Sequence, residues 1–359
     1  MDITETETTE IMNGGKQMQL GIKIANFEYF RNCLSFNFIF RHSHNKTRRH
    51  QRSDNSRNWS SYSMKQRDEF DEQYYPISQY GTNGFAIIFD IFEFFGKPDW
   101  RRNGTRIDCN ELRKMFLQLK IIPIIYQESK DCTKSKILEH LTDFATDSRH
   151  KDFNVAFICF LTHGNRNGIY TADCKTLNME NEVYPLLNNK NSPILRDKPK
   201  VFITQVIYLK AKLLYLNAPN DSILQACRGN LLDEGVDCKP SFGKSQYICH
   251  ADSPPITIEP KLKSSYSDIF IVSSSLPLFK AFRSEETGSS FIQTLCRVFR
   301  EDARRYDLTT MVQKVFDLLD SEVTLFRDSD GEIKEVKSVP HIQMYGKHKK
   351  LFFGRRSRL

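Results

Sequence analysis

Two short stretches of this chain place a reactive side chain just beyond an apolar run. Thr162-His163-Gly164 follows Val155–Leu161, and Gln225-Ala226-Cys227-Arg228-Gly229 follows a second apolar lead-in. Loops at the carboxyl ends of strands form the binding crevice of a doubly wound sheet. Two such strands side by side would bring an imidazole and a thiol together at one edge. His163 would then favour the thiolate of Cys227, which is the attacking species, and later return the proton to a leaving amine. Backbone N–H groups of Gly164 and Cys227 would stabilise the oxyanion of a tetrahedral intermediate. Glycine beside the histidine lets a substrate backbone come close. Each residue alone has a plainer reading, since a cysteine after an apolar run is more often core. Only the pair suggests catalysis.

The elements that must position them can be read from periodicity. Gly84–Phe89, Ile121–Ile125 and Val155–Leu161 are short apolar runs of strand character, and Ile269–Ser273 is a fourth. Leu112, Met115, Phe116 and Leu119 recur at helical spacing, as do Ile137, Leu138, Leu141 and Phe144. Strands alternating with amphipathic helices predict an α/β domain with a largely parallel sheet. Asp233–Ser267, with Pro240, Gly243, Pro254, Pro255 and Pro260, reads as a loop. Beyond it, Phe291, Ile292, Leu295 and Val298 mark one helix, and Met311, Val312, Val315 and Leu319 another.

Composition excludes several classes. With 39% hydrophobic residues, 27 of them Phe, the 359-residue chain can bury a sizeable core and is not wholly disordered. Nine cysteines without paired spacing, no signal-like N-terminus and no long apolar run predict a reduced, cytoplasmic protein with no membrane span. Arg41 to Arg67 holds six Arg and two Lys against one acid, so that stretch carries most of the net +8. It is polar and reads as a disordered, solvated tail within residues 1–73, not as a folded face that grips nucleic acid. His42, His44 and His50 lack a credible fourth ligand, so no metal or other cofactor is expected.

The pentapeptide Gln225–Gly229 resembles the active-site signature of the caspases, and the resemblance extends from Tyr74 to Phe353. Asn83–Phe89 looks like the family's first strand, and Arg102-Asn103-Gly104-Thr105 with Asp108 and Leu112 like its first pocket loop. Leu161-Thr162-His163-Gly164 is similar to the histidine motif, with Thr in place of the commoner Ser. Phe282-Arg283-Ser284, Gly288–Gln293, Val339–Ile342 and Leu351–Phe353 match its small subunit.

This resemblance implies a mixed, mostly parallel six-stranded sheet flanked by helices, with large and small subunits forming one domain. It divides the chain into a prodomain (1–73), a large subunit (74–252) and a small subunit (253–359). It implies a cysteine endopeptidase that cuts proteins after aspartate in apoptosis, made as a zymogen. Arg102, Gln225 and Arg283, with Phe282 beside them, would form the pocket for the substrate aspartate. Guanidiniums bind carboxylates through paired, charge-assisted hydrogen bonds and repel Lys or Arg. Processing is expected after Asp252, in the Pro-rich loop, and after Asp71, with an upstream protease as activator. Expected partners are protein substrates, inhibitor-of-apoptosis type proteins and a second large–small pair, giving a dimer joined by a small-subunit strand. The first 73 residues lack the repeated amphipathic helices of an adaptor domain, which favours an effector-like role.

One segment departs from the pattern. Lys198-Pro199-Lys200-Val201-Phe202-Ile203 would ordinarily lead straight into the nucleophile motif, yet Thr204–Ile223 intervenes. Twenty residues have the length of a short intron read in frame, so the segment reads as a gene-model artefact or a splice form. If present, it is expected to split a central strand, leaving only Leu224, Gln225 and Ala226 before Cys227 and its buried backbone groups unpaired. The rival reading that follows is a catalytically impaired regulator or decoy.

Overall fold

The computed structural model describes residues 73–76, 82–165, 167–208, 236–237, 246–248, 256–258, 262–276, 279, 281–327 and 331–353. They lie within one compact unit, Ser60–Leu359. The basic stretch Arg41–Arg67 is outside the described residues.

Strand β1 (Gly84–Asp90) is buried along its whole length. A strand covered on both faces needs apolar side chains at every position, which is why its sequence shows no alternation. β3 (Val155–Asn165) has the same character. Around them run β2 (Ile121–Tyr126), β6 (Lys200–Tyr208), β7 (Ile269–Ser273) and β10 (His341–Tyr345), in the order β10-β7-β6-β3-β1-β2. All pairs in this path are parallel except β7 with β10. Two short strands, β4 (Gly168–Tyr170) and β5 (Thr176–Leu177), continue antiparallel from the end of β3 and bring the sheet to eight strands. The six-stranded, mostly parallel core matches the expectation.

Alternation along the strands sends neighbouring side chains to opposite faces. On one face Phe157, Cys159 and Leu161 pack beneath α1 (Thr105–Gln118), α3 (Ser290–Asp302) and α4 (Leu308–Ser321). On the other, Ala156, Ile158 and Phe160 pack beneath α2 (Lys134–Thr146). Ser289 and Asp307 cap α3 and α4 by accepting hydrogen bonds from free N–H groups of the first turns. Outside the sheet, β8 (Thr324–Arg327) and β9 (Ile333–Val336) form a separate hairpin. No helix among the described residues is long and apolar enough to cross a membrane.

Three details differ from the sequence reading. β3 does not stop at Leu161 but carries Thr162, His163 and Gly164 in the ladder. The Pro-rich stretch contains strand pairs, with Val236–Asp237 against Leu262–Lys263 and Gln246–Ile248 against Ile256–Ile258. Most important, β6 is not split after Ile203. Thr204–Tyr208 continues in register, pairing with Phe160–Gly164 of β3, while Thr204 also pairs with Ser273 of β7. These five residues are rich in β-branched and aromatic types, which suit a pleated, buried surface. The inserted sequence thus supplies its own strand end, which stays paired with β3 as far as Tyr208.

Candidate active site

Arg102 lies between β1 and α1 and is wholly buried. One guanidinium nitrogen donates to Thr105 Oγ1 at 2.7 Å, and the Thr105 hydroxyl donates to Asp90 Oδ1 at 2.7 Å. The other reaches the Gln205 carbonyl at 3.5 Å, and Nε has no partner among the described residues. Burial, and then repulsion from Arg283, lower its pKa to about 9, against weaker support from Asp90 and Asp108. A cation this poorly compensated favours an anion beside it.

Arg283 lies between β7 and α3 and is brought over by docking of two loops. Its Nε donates to the Asn103 carbonyl at 2.6 Å, while Asn103 Nδ2 donates to Glu285 at 3.1 Å. Gly104 sits between them at φ +81°, where a Cβ would lie 2.3 Å from the Ser284 carbonyl oxygen. The same interface is pinned by buried Asp108, which accepts from the Ser289 N–H at 2.8 Å and the Gln293 amide at 3.0 Å. Burial also lowers the Arg283 pKa, and its Nη1 makes no hydrogen bond among the described residues.

His163 ends the apolar run of β3 and is only 6% exposed. Its Nε2 lies 2.8 Å from the Trp100 carbonyl, which as an acceptor requires that nitrogen to carry the proton. Phe94 packs on the ring with centroids 5.2 Å apart. Burial first, then the positive charge of Arg102, push its pKa down to about 4, although hydrogen bonding to Trp100 opposes this. The imidazole is therefore neutral at pH 7, as a proton acceptor must be. Gly164 follows it, where a Cβ would stand 2.6 Å from Val206 Cγ1.

Arg102, Arg283, His163 and Gly164 thus meet at the carboxyl end of β1, β3 and β6. Phe282 flanks them, 5.6 Å from Phe326 between ring centroids. Both aromatics line a cleft of about 960 Å³ that starts at Ile207 and Arg283 and runs past Ser290 to Arg297. Gln225, Cys227, Asp71 and Asp252 lie outside the described residues. Opposite His163 in the ladder stands Ile207. The sequence reading passed over Trp100, Asp90 and Gln205. An aspartate closing a fully apolar strand was a usable sign for Asp90, whereas Trp100 acts through its backbone and leaves no trace in residue type.

Comparison with known proteins matches residues 83–352 to the family described as "Caspase domain". Caspase drICE of Drosophila melanogaster is 27% identical over 262 residues, which span 73% of this chain and 67% of that protein. Caspase-2 of Gallus gallus is 29% identical over 235 residues, 65% of this chain but only 50% of the relative. Among solved structures, caspase-1 from Spodoptera frugiperda superposes with a TM-score of 0.58 at 22% identity, covering 80% of this chain and 96% of that one, which supports the fold.

Proposed function

The chain belongs to the caspase family, and from that premise we propose that it is a cysteine endopeptidase cleaving proteins after aspartate. The observation that carries this reading is the buried guanidinium of Arg102 and the half-buried one of Arg283, gathered beside a neutral His163 at one end of the sheet. Desolvation disfavours both charges, and repulsion from Arg283 adds to it at Arg102. A substrate carboxylate relieves both, and a lysine or arginine would aggravate them.

In this reading Cys227 is the nucleophile and His163 its acid/base partner. Proton transfer from the thiol to the imidazole forms the thiolate, which adds to the carbonyl carbon after the aspartate. N–H groups of Gly164 and Cys227 bind the resulting oxyanion. His163 then returns the proton to the departing amine, and water releases the acyl group from sulfur. Phe282 and Phe326 would border the residues preceding the aspartate. The enzyme would act in the cytoplasm in apoptosis, as a zymogen cut after Asp252 and Asp71 by an upstream protease, with inhibitor-of-apoptosis type proteins as regulators. The proposed large (74–252) and small (253–359) subunits would pair twice, joined by a small-subunit strand. The edge position of β10 suits that role.

A panel of fluorogenic tetrapeptides differing only in the last residue tests the specificity, using the chain without Thr204–Ile223. Turnover after Asp, at least about 100-fold above Asn and absent after Lys, is expected from loss of a buried charge pair. Equal turnover of the Asp and Asn peptides, or cleavage after Lys, would refute it.

A further inference from the structure

Resting on that reading, we infer that the glutamine of the carboxylate pocket is Gln205 and not Gln225. The atypical segment then runs from Val206 to Gln225, and Ile207 fills the place that faces His163.

The two candidates stand in parallel contexts, Thr204-Gln205-Val206-Ile207 and Leu224-Gln225-Ala226-Cys227. Four observations select the first. Gln205 is fully buried, yet neither side-chain oxygen nor nitrogen has a hydrogen-bond partner among the described residues. An orphaned buried amide is costly and is kept only where something else returns the loss. Second, the parity of β6 places Gln205 on the face of Val201 and Ile203, beneath α1 and α3, the helices that flank Arg102 and Arg283. The same parity on β3 puts His163 on that face with Phe157, Cys159 and Leu161. Third, Arg102 already reaches the Gln205 carbonyl, so the two side chains leave neighbouring points of the pocket wall. Arg102 Nε and Arg283 Nη1, like the Gln205 amide nitrogen, are donors without partners among the described residues. Guanidinium and amide N–H groups left unsatisfied on one face suit a ligand that accepts from them, which is a carboxylate.

Fourth, Thr204 belongs to the core strand. Its hydroxyl donates to Ser273 Oγ at 2.7 Å in a buried pair, and the Val206 N–H donates to Ser274 Oγ at 3.3 Å. The strand thus has a fixed register through Gln205. Removing the twenty residues from Val206 to Gln225 would join Gln205 to Ala226 and carry Cys227 into the place of Ile207, opposite His163.

The test uses the full chain and calorimetric binding of an acetylated tetrapeptide ending in Asp, with an Asn-ended peptide as reference. Gln205→Leu should weaken the Asp peptide about 10- to 100-fold, the range for a hydrogen bond to a charged group. Gln205→Glu should weaken it further by charge repulsion, and Gln225→Leu should bind as the unaltered chain does. Because leucine replaces an unsatisfied amide, Gln205→Leu should melt no lower than the unaltered chain, whereas a structural glutamine would lose several degrees. Binding unaffected by both Gln205 changes, or lost through Gln225→Leu instead, overturns the assignment while leaving the protease reading intact. If binding follows Gln205 but the chain lacking Val206–Gln225 cleaves no Asp peptide, the protease reading fails and the assignment stands.

Discussion

His163 sits between the Trp100 carbonyl and the guanidiniums of buried Arg102 and half-buried Arg283, and the balance keeps it neutral far into the acid range. Its folded pKa of about 4 lies below the ordinary 6.5, so the unfolded chain takes up the proton first. Stability from this group is present above pH 6.5 and is lost as the pH falls from about 6.5 towards 4. Urea unfolding at pH 7.5 and pH 5 should show about 2 kcal/mol more acid loss in the unaltered chain than in His163→Ala. An identical pH dependence in both would contradict the environment described. His150, also pushed down to about 4 by burial, contributes to acid sensitivity in both proteins and cancels in the comparison. At Arg102 the expectation concerns activity. Arg102→Ala in the shortened chain should lower kcat/KM for Asp peptides by about 100-fold or more. Lysine should not restore it, since it lacks the planar fork that reaches Thr105 and substrate together.

Among the elements, the pocket depends on the loop before α1 lying close against the turn at Ser284–Gly288. Gly104→Ala places a Cβ 2.3 Å from a carbonyl oxygen at a positive φ, so the two loops must separate. We expect a loss of about 1–3 kcal/mol in urea unfolding, with Asp-peptide binding weakened in parallel as Arg283 moves from Asn103. Unchanged stability would mean that the loops are not so tightly docked. Elements with a single dominant signal were legible in the sequence. β1, β2 and β7 are continuous apolar runs, and α2 and α4 show clean helical spacing. α1 begins at Thr105, well before Leu112, where its apolar period starts, because its N-cap is Gly104 in the left-handed region, with no capping side chain to announce it. The polar and charged residues of its first turn serve the pocket, so they break the apolar pattern that marks a helix. The end of β3 was missed for the same reason, since His163 and Gly164 read as a loop but pair with β6, and Gly164 with β4 as well. β6 was misjudged because family likeness outweighed the β-prone character of Thr204–Tyr208 itself.

At the scale of the molecule, one sheet runs through both proposed subunits. β6 and β7 share a five-residue parallel register, and α1 packs with α3 and α4 over a common core. A cut after Asp252 therefore severs the chain without separating its parts. Mass spectrometry of processed protein should find a fragment beginning at Ser253, and it should co-elute with the larger fragment until denaturant is added. Fragments that part in native buffer would contradict the shared core. The site divides along the same line, Arg102 and His163 on one side and Arg283 on the other, so its chemistry rests on that sheet staying whole.

The central claim is that Cys227 and His163 form a protease once Cys227 stands in the β6 register that Ile207 now holds. The most direct measurement compares hydrolysis of an Asp-ended fluorogenic peptide by three proteins: the full chain, the chain lacking Val206–Gln225, and that shortened chain with Cys227→Ala. Turnover by the shortened chain should be at least about 100-fold above the full chain, and none should remain after the cysteine is replaced, as for loss of a nucleophile. A shortened chain that folds but does not cleave, or a Cys227→Ala form that still does, would contradict it.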